Sequence, residues 1–267
     1  MRRFHLIEFH DQPWFPSSIR DYVTDALQFG FNFFNIYETV TPVLQRVIDG
    51  TRSQTIIDMC SGGGGPWLDL ARRLEPDASQ NHTSLRICLS DKYPNLEAFE
   101  KAKAASAGRI GFYPQAVDAT SVPREIKGIR TMFSTFHHFL PQQARAILQD
   151  AVDAREGIGL FEAARRAPST IALVFVFVLT IFVCTLWIRP FRWSRLFWTY
   201  LIPVIPFDLL FDGVVSCLRS YSPQELRELV AGLNVEEYRW EIGELPTGMS
   251  PITYLAGYPT PSAKASD

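Results

Sequence analysis

The sequence predicts an α/β protein: a doubly wound, mostly parallel seven-stranded sheet, with helices ahead of it and an apolar helical insertion between the fifth and sixth strands. Three observations lead there. From Thr55 onward, short β-branched runs alternate with helical stretches and leave no room for hairpins. The first of those runs ends in an acid and passes into four consecutive glycines, Gly62–Gly65. A charge-free stretch from Ala167 to Ile188 then interrupts the alternation after the fifth run.

Residues 1–50 read as a helical cap. Ser17 or Ser18 is expected to cap a first helix in which Ile19, Tyr22, Val23, Ala26 and Leu27 fall at helical spacing, and Gly30 is expected to end it. Phe31–Asp49 reads as a second helix, whose aromatic cluster of Phe31, Phe33, Phe34 and Tyr37 is most simply core. The core proper, 51–165, has strands at Thr55–Met59, Leu85–Leu89, Ile110–Ala116, Ile129–Phe133 and Gly159–Glu162. Helices at Pro66–Leu74, Asn95–Ala107 and Pro141–Ala154 alternate with them. After the insertion, 166–217, residues 218–258 complete the core. Ser222 caps a helix to Leu233, with Pro223 at its first position and Glu225 closing a capping box. Strands at Tyr238–Ile242 and Ile252–Gly257 follow, and the small polar residues 259–267 are expected to be a disordered tail.

Composition narrows the function classes. A net charge of -2 without any lysine and arginine run provides no footprint for a nucleic-acid partner. Cys60, Cys88, Cys184 and Cys217 are far apart and show neither CxxC nor a Cys/His spacing, so no metal site is expected and the thiols read as reduced. Arg2 and Arg3 are followed by Glu8, His10 and Asp11 where an export signal needs an apolar run, so no cleaved signal is expected.

The stretch Ile56-Ile57-Asp58-Met59-Cys60-Ser61-Gly62-Gly63-Gly64-Gly65-Pro66 is the most informative. A strand that runs into glycines and then a helix lets a ligand approach the backbone, because no Cβ stands in the way. A dinucleotide fingerprint fails at Trp67, where a third glycine is needed, and a Walker-type Gly-Lys-Ser/Thr ending is absent. Asp58, Asp91 and Asp118 follow the first three strands, at the sheet edge where doubly wound proteins bind ligands. Three carboxylates there suit a ligand offering an amine, vicinal hydroxyls and an adenine amine.

This order resembles the class I S-adenosylmethionine (SAM)-dependent methyltransferases, whose first motif is D/E-x-G-x-G-x-G. Asp58, Gly62 and Gly64 match, and Cys60 stands where the family has its first glycine. The resemblance covers about residues 35–162 and 218–258 and implies a Rossmann-like methyltransferase fold with an antiparallel seventh strand. It also implies SAM as cofactor. Asp58 and Cys60, Ser61, Gly62 and Gly64 would hold the methionine half, Asp91 with Lys92 beside it would meet the ribose hydroxyls, and Asp118 with Ala119 would face the adenine. The stretch Met132-Phe133-Ser134-Thr135-Phe136-His137-His138-Phe139 resembles the fourth-strand motif of small-molecule and lipid methyltransferases, which adds Ser134 to the cofactor set. His137 and His138 are the candidate catalytic residues. A neutral imidazole takes up a proton near pH 7, although alignment alone serves methyl transfer to a good nucleophile and one histidine packed under the sheet is the plainer reading.

The insertion has the length of a bilayer-crossing helix, and Trp187, Trp193, Trp198 and Tyr200 interleaved with Arg189, Arg192 and Arg195 read as an interfacial belt. Because the last helix and strands must rejoin the sheet, residues 170–210 must cross twice, dip in or lie in the interface. The cofactor crevice comes from strand ends before residue 140, so these residues are expected to be dispensable for cofactor binding. The expected function is a SAM-dependent methyltransferase acting on a lipophilic small molecule or lipid at the cytoplasmic face of a membrane. Two alternatives are a soluble methyltransferase with the insertion as dimer interface or substrate lid, and an inactive SAM-fold membrane scaffold.

Overall fold

The computed structural model describes residues 1–74, 85–233, 235 and 237–260. In chain order the elements are α1 (Ser17–Phe33), α2 (Thr41–Thr51), β1 (Thr55–Asp58), α3 (Trp67–Arg73), β2 (Arg86–Leu89), α4 (Leu96–Ala105), β3 (Ile110–Phe112) and β4 (Ile129–Phe133). They continue with α5 (Pro141–Asp153), β5 (Ile158–Glu162), α6 (Pro168–Cys184), α7 (Trp193–Leu196), α8 (Val204–Arg219), α9 (Pro223–Ala231), β6 (Tyr238–Leu245) and β7 (Ile252–Pro259).

The seven strands form one sheet in the order β3-β2-β1-β4-β5-β7-β6. The first five are mutually parallel, and β7 runs antiparallel to both β5 and β6. Every residue of β4 and β5 is buried, as expected of central strands covered on both faces. One apolar layer joins Val40, Val43, Leu44 and Val47 around α2 to Trp67, Leu70 and Phe99. The opposite layer joins Ile147, Leu148 and Ala151 of α5 to Leu226 and Leu229 of α9. The α9 capping box forms as read: Ser222 Oγ accepts the Glu225 amide at 3.3 Å, and the Glu225 carboxylate accepts the Ser222 amide at 2.8 Å.

The N-terminal helices differ from expectation. Pro16 occupies the N-cap of α1, and neither Ser17 nor Ser18 caps it. The helix runs through Gly30 because that glycine serves packing: a Cβ there would lie 2.3 Å from Phe177 Cε2. The expected second helix breaks at Asn35, with φ 49°, and resumes only at Thr41. β3 stops at Phe112, short of the expected Ala116. β7 extends through Pro259, and residues 261–267 of the expected tail lie outside the described residues.

The insertion shares a third core with α1, in which Ile19, Val23 and Ala26 pack with Ile181, Ile188, Ile205 and Leu209. Arg195, expected in an interfacial belt, is buried instead, where it pairs with Asp25 of α1 and donates to the Ile188 carbonyl at 3.0 Å. Removing 170–210 would therefore take Ile181, Ile188, Ile205 and Leu209 out of the core that α1 shares, a cost that the expected dispensability leaves out. The other face of α6 is bare. Phe175, Val176, Leu179, Phe182 and Val183 are exposed at steps of one to four residues along one side. Pro168–Trp187 is long and apolar enough to cross a membrane by length and composition alone.

Candidate functional site

The glycine loop departs from β1 with left-handed backbone at Cys60 (φ 56°), Gly62 (51°), Gly64 (107°) and Gly65 (58°). Cys60 thus adopts the conformation that favours glycine, and it does so where the family motif has one. The loop is pinned by its neighbour strand: Ser61 N–H donates to Ser90 O at 3.0 Å, and the hydroxyls of Ser61 and Ser90 both donate to Asp58 O at 2.8 Å. Beyond Gly62 the space is open, since a Cβ there would meet only Thr24 Cγ2, at 3.9 Å. Gly63 lies closer under α1, where a Cβ would reach Thr24 Cγ2 at 2.9 Å. The first helix therefore roofs the loop.

Of the three strand-end acids, Asp91 is the one whose carboxylate ties the glycine loop to the end of β2. Its Oδ2 accepts the Gly62 amide at 2.9 Å and its Oδ1 the Tyr93 amide at 2.8 Å, while burial raises its carboxyl above the usual range. Asp58 is 2% exposed and accepts Thr131 Oγ1 at 2.8 Å. Burial pushes its carboxyl up to about 6. It shapes the loop from beneath. Asp118 lies at the surface beside buried Ala119, accepts both the amide and the hydroxyl of Thr120, and pairs with Lys92 at 2.9 Å. Those hydrogen bonds, led by the Thr120 hydroxyl, hold its carboxyl down at about 2. Ser134 Oγ accepts Tyr37 OH at 2.6 Å and the Ala163 amide at 3.0 Å, so its hydroxyl fastens β4 to β5.

His137 and His138 sit on a short 3-10 turn, Phe136–His138, just past β4. His137 is 2% exposed, and its Nδ1 meets Glu162 Oε2, at the end of β5, at 2.7 Å. Burial alone would push this imidazole down, but Glu162 and then Glu8 outweigh it and raise it. Its Nε2 faces Glu8 Oε1 at 3.8 Å. His138 Nδ1 lies 2.9 Å from Asp11 Oδ1 and 3.2 Å from Glu8 Oε2. Arg219, buried at the end of α8, completes the cluster at 2.8 Å from Asp11 and 3.2 Å from Glu8. The N-terminal arm, residues 3–11, thus closes over the histidines. Sequence reading missed Glu8, Asp11, Glu162 and Arg219. For Glu162 the signal was present, an acid at a strand end like Asp58.

A cavity of about 510 Å³ opens elsewhere, lined by Arg3, Arg165, Arg166 and Tyr221 but by none of the glycine-loop residues. Three of its arginines are engaged: Arg3 lies 4.0 Å over the Tyr221 ring, Arg165 pairs with Glu244 and Arg166 with Glu225.

No protein-family model and no curated protein matches the chain. Among solved structures it is similar to PigF, solved with SAH, at TM-score 0.50 and 14% identity, over 93% of this chain and 62% of that one. It is also similar to the O-methyltransferase NcsB1 of neocarzinostatin biosynthesis, solved with SAM and 2-hydroxy-5-methyl naphthoic acid. There the TM-score is 0.47 and the identity 15%, over 79% of this chain and 50% of that one. The mitomycin 7-O-methyltransferase MmcR gives 0.47 and 15%, over 95% and 61%. The chain spans about half to three fifths of the length of these proteins. The likeness to PigF is one of fold. With the strand order and the antiparallel β7, the fold is the Rossmann-like one that the motif resemblance implied.

Proposed function

We infer that this protein is a SAM-dependent methyltransferase that acts on a lipophilic small molecule or lipid at the cytoplasmic face of a membrane. The observation that carries the reading is the loop itself. Left-handed, Cβ-poor backbone lies beside the Asp91 carboxylate at the carboxyl ends of β1 and β2, with open space over Gly62. Those features fit a cofactor that offers an amine and two vicinal hydroxyls. SAM, when bound, supplies an electrophilic methyl group. The loop Cys60–Gly64 would hold its methionine half, Asp91 its ribose hydroxyls, and Asp118 with Ala119 and Lys92 its adenine end.

His137 is the residue suited to take the acceptor's proton. Donation of its Nδ1–H to Glu162 leaves the Nε2 lone pair for an incoming hydroxyl. Glu8 stands at that nitrogen, so an acceptor reaches it only when the N-terminal arm yields. The bare stripe of α6 supports seating on lipid, and since its opposite face packs on α1 and α8, a helix lying in the interface fits better than a lone crossing.

Calorimetry with SAM tests the cofactor. Gly62→Asn places a side chain in the open space at a left-handed position that asparagine tolerates, so binding should disappear while circular dichroism stays that of the parent. Unchanged affinity in a folded variant would sink the assignment. The membrane part is tested by placing glutamate at Phe175, Leu179 and Val183 together. Flotation with vesicles should be lost and SAM binding kept; flotation equal to the parent's would refute seating through α6. A catalytically silent SAM-binding scaffold is the second reading, favoured by Cys60 and by the arm over His137. A mass gain of one methylene in lipid extracts of expressing cells would exclude it.

A further inference from the structure

Beside the histidine cluster, the same N-terminal arm meets α8 at a second group of charged residues. A ring nitrogen of His10 and carboxylate oxygens of Asp208 and Asp212 all lie within 4.8 Å of one another. Asp208 and Asp212 are one helical turn apart on the buried face of α8. Asp208 is 1% exposed, and among the described residues neither of its oxygens has a hydrogen-bond partner. A buried carboxylate without a partner is expensive, because its hydration is lost and nothing replaces it. Its nearest basic group is His10, at 3.7 Å, too long for a hydrogen bond.

We propose that His10, Asp208 and Asp212 form a divalent-metal site of the zinc type, which clamps the N-terminal arm to α8. The donor set is one imidazole and two carboxylates, a combination that zinc and similar transition ions take with a fourth position left for water. A divalent ion cancels the charge of the two aspartates and leaves the imidazole neutral. The spacing suits it as well. Two ligand atoms each about 2.1 Å from one tetrahedral ion stand roughly 3.4 Å apart, close to the 3.7 Å between His10 and Asp208.

The surroundings orient the ligands. His10 Nε2 lies 3.4 Å from Thr24 Oγ1, which leaves Nδ1 as the donor nitrogen. The two oxygens of Asp212 accept the amides of Phe9 and His10, at 2.9 and 3.0 Å, which fix its carboxylate while lone pairs remain. The neighbouring trio of Glu8, His137 and His138 has comparable spacing, but there the Arg219 guanidinium stands 3.2 Å from Glu8 and already supplies the positive charge.

The test uses the full chain, stripped with a chelator and titrated with zinc chloride in a calorimeter. One equivalent should bind and raise the melting temperature. Asp208→Asn and His10→Ala should each weaken binding at least tenfold. Asp208→Asn should fold without metal, since it removes an unpaired buried charge, yet fail to respond to zinc. Glu8→Gln should bind as the parent does. Absence of binding at millimolar zinc overturns the proposal. So does binding that survives Asp208→Asn and His10→Ala, or that is lost in Glu8→Gln instead.

Discussion

At the carboxyl ends of β1 and β2 the acids are held by neutral donors, Asp58 by the Thr131 hydroxyl and Asp91 by the amides of Gly62 and Tyr93, with open space alongside. At the ends of β4 and β5 the acids also meet other charges: Glu162 accepts the Phe136 amide at 2.7 Å and pairs with His137, and Glu8 and Asp11 are held by His138 and Arg219. The first region would accept a ligand by exchanging little, because peptide groups stay where the fold puts them. The second is closed by a segment from outside the sheet, and its chemistry becomes available only if that segment moves. A cofactor half that is preformed and an acceptor half that is gated would separate binding from turnover.

The sharpest break in that comparison is His137→Gln. It should lower kcat by about 10²–10⁴-fold, the range of general-base loss, while calorimetric SAM affinity stays within about twofold of the parent. Equal losses in both would mean that the two halves are one unit. The pH profile sharpens the point. The imidazole is raised above its ordinary value of 6.5, so its base form appears only on the alkaline side, and kcat/KM should rise with pH through that raised value. The sign for stability is opposite. The pairing with Glu162 is fully present below 6.5 and fades as pH climbs through the folded-state value, so Glu162→Gln should destabilise more at acid than at alkaline pH in urea titrations.

Asp91→Ala addresses the other half. Loss of its hydrogen bonds to ligand hydroxyls, on the order of 1.5–3 kcal/mol, should weaken SAM at least tenfold with little change in kcat at saturation. The smallest effect belongs to Cys60→Gly. Relieving a left-handed non-glycine residue recovers about 1 kcal/mol, which would raise Tm by about 2–4 °C in a chain of this size. A lower Tm would show that the Cys60 thiol packs usefully in the loop.

The sheet was legible because its signals are local: β-branched runs, strand-end acids and a Ser222–Glu225 capping box all act within a few residues. The glycine loop was legible for the same reason, and Cys60 takes there the left-handed turn that the motif gives to glycine. Gly30 was misread because periodicity does not reveal what a glycine packs against; only the approach of Phe177 explains it. The arm was misread more completely. Glu8, His10 and Asp11 entered the sequence argument solely as reasons against an export signal, because their partners Asp208, Asp212 and Arg219 lie some two hundred residues further on. A usable hint remained: acids four apart in an otherwise apolar helix need a partner somewhere.

The place of β7 in the sheet sets an order of events during synthesis. It is the last described strand, yet it lies between β5 and β6, and Glu162 of β5 pairs with Thr253. At about 5–20 residues per second, the roughly ninety residues between them take on the order of 5–20 s to emerge. Throughout that interval the edge of β5 has no strand to close it, and for most of it the bare side of α6, which follows β5 in the chain, is outside the ribosome as well. An open edge and an exposed apolar helix together invite aggregation. Early capture of α6, by lipid or by a chaperone, would shield the nascent chain until its final strand slots into place.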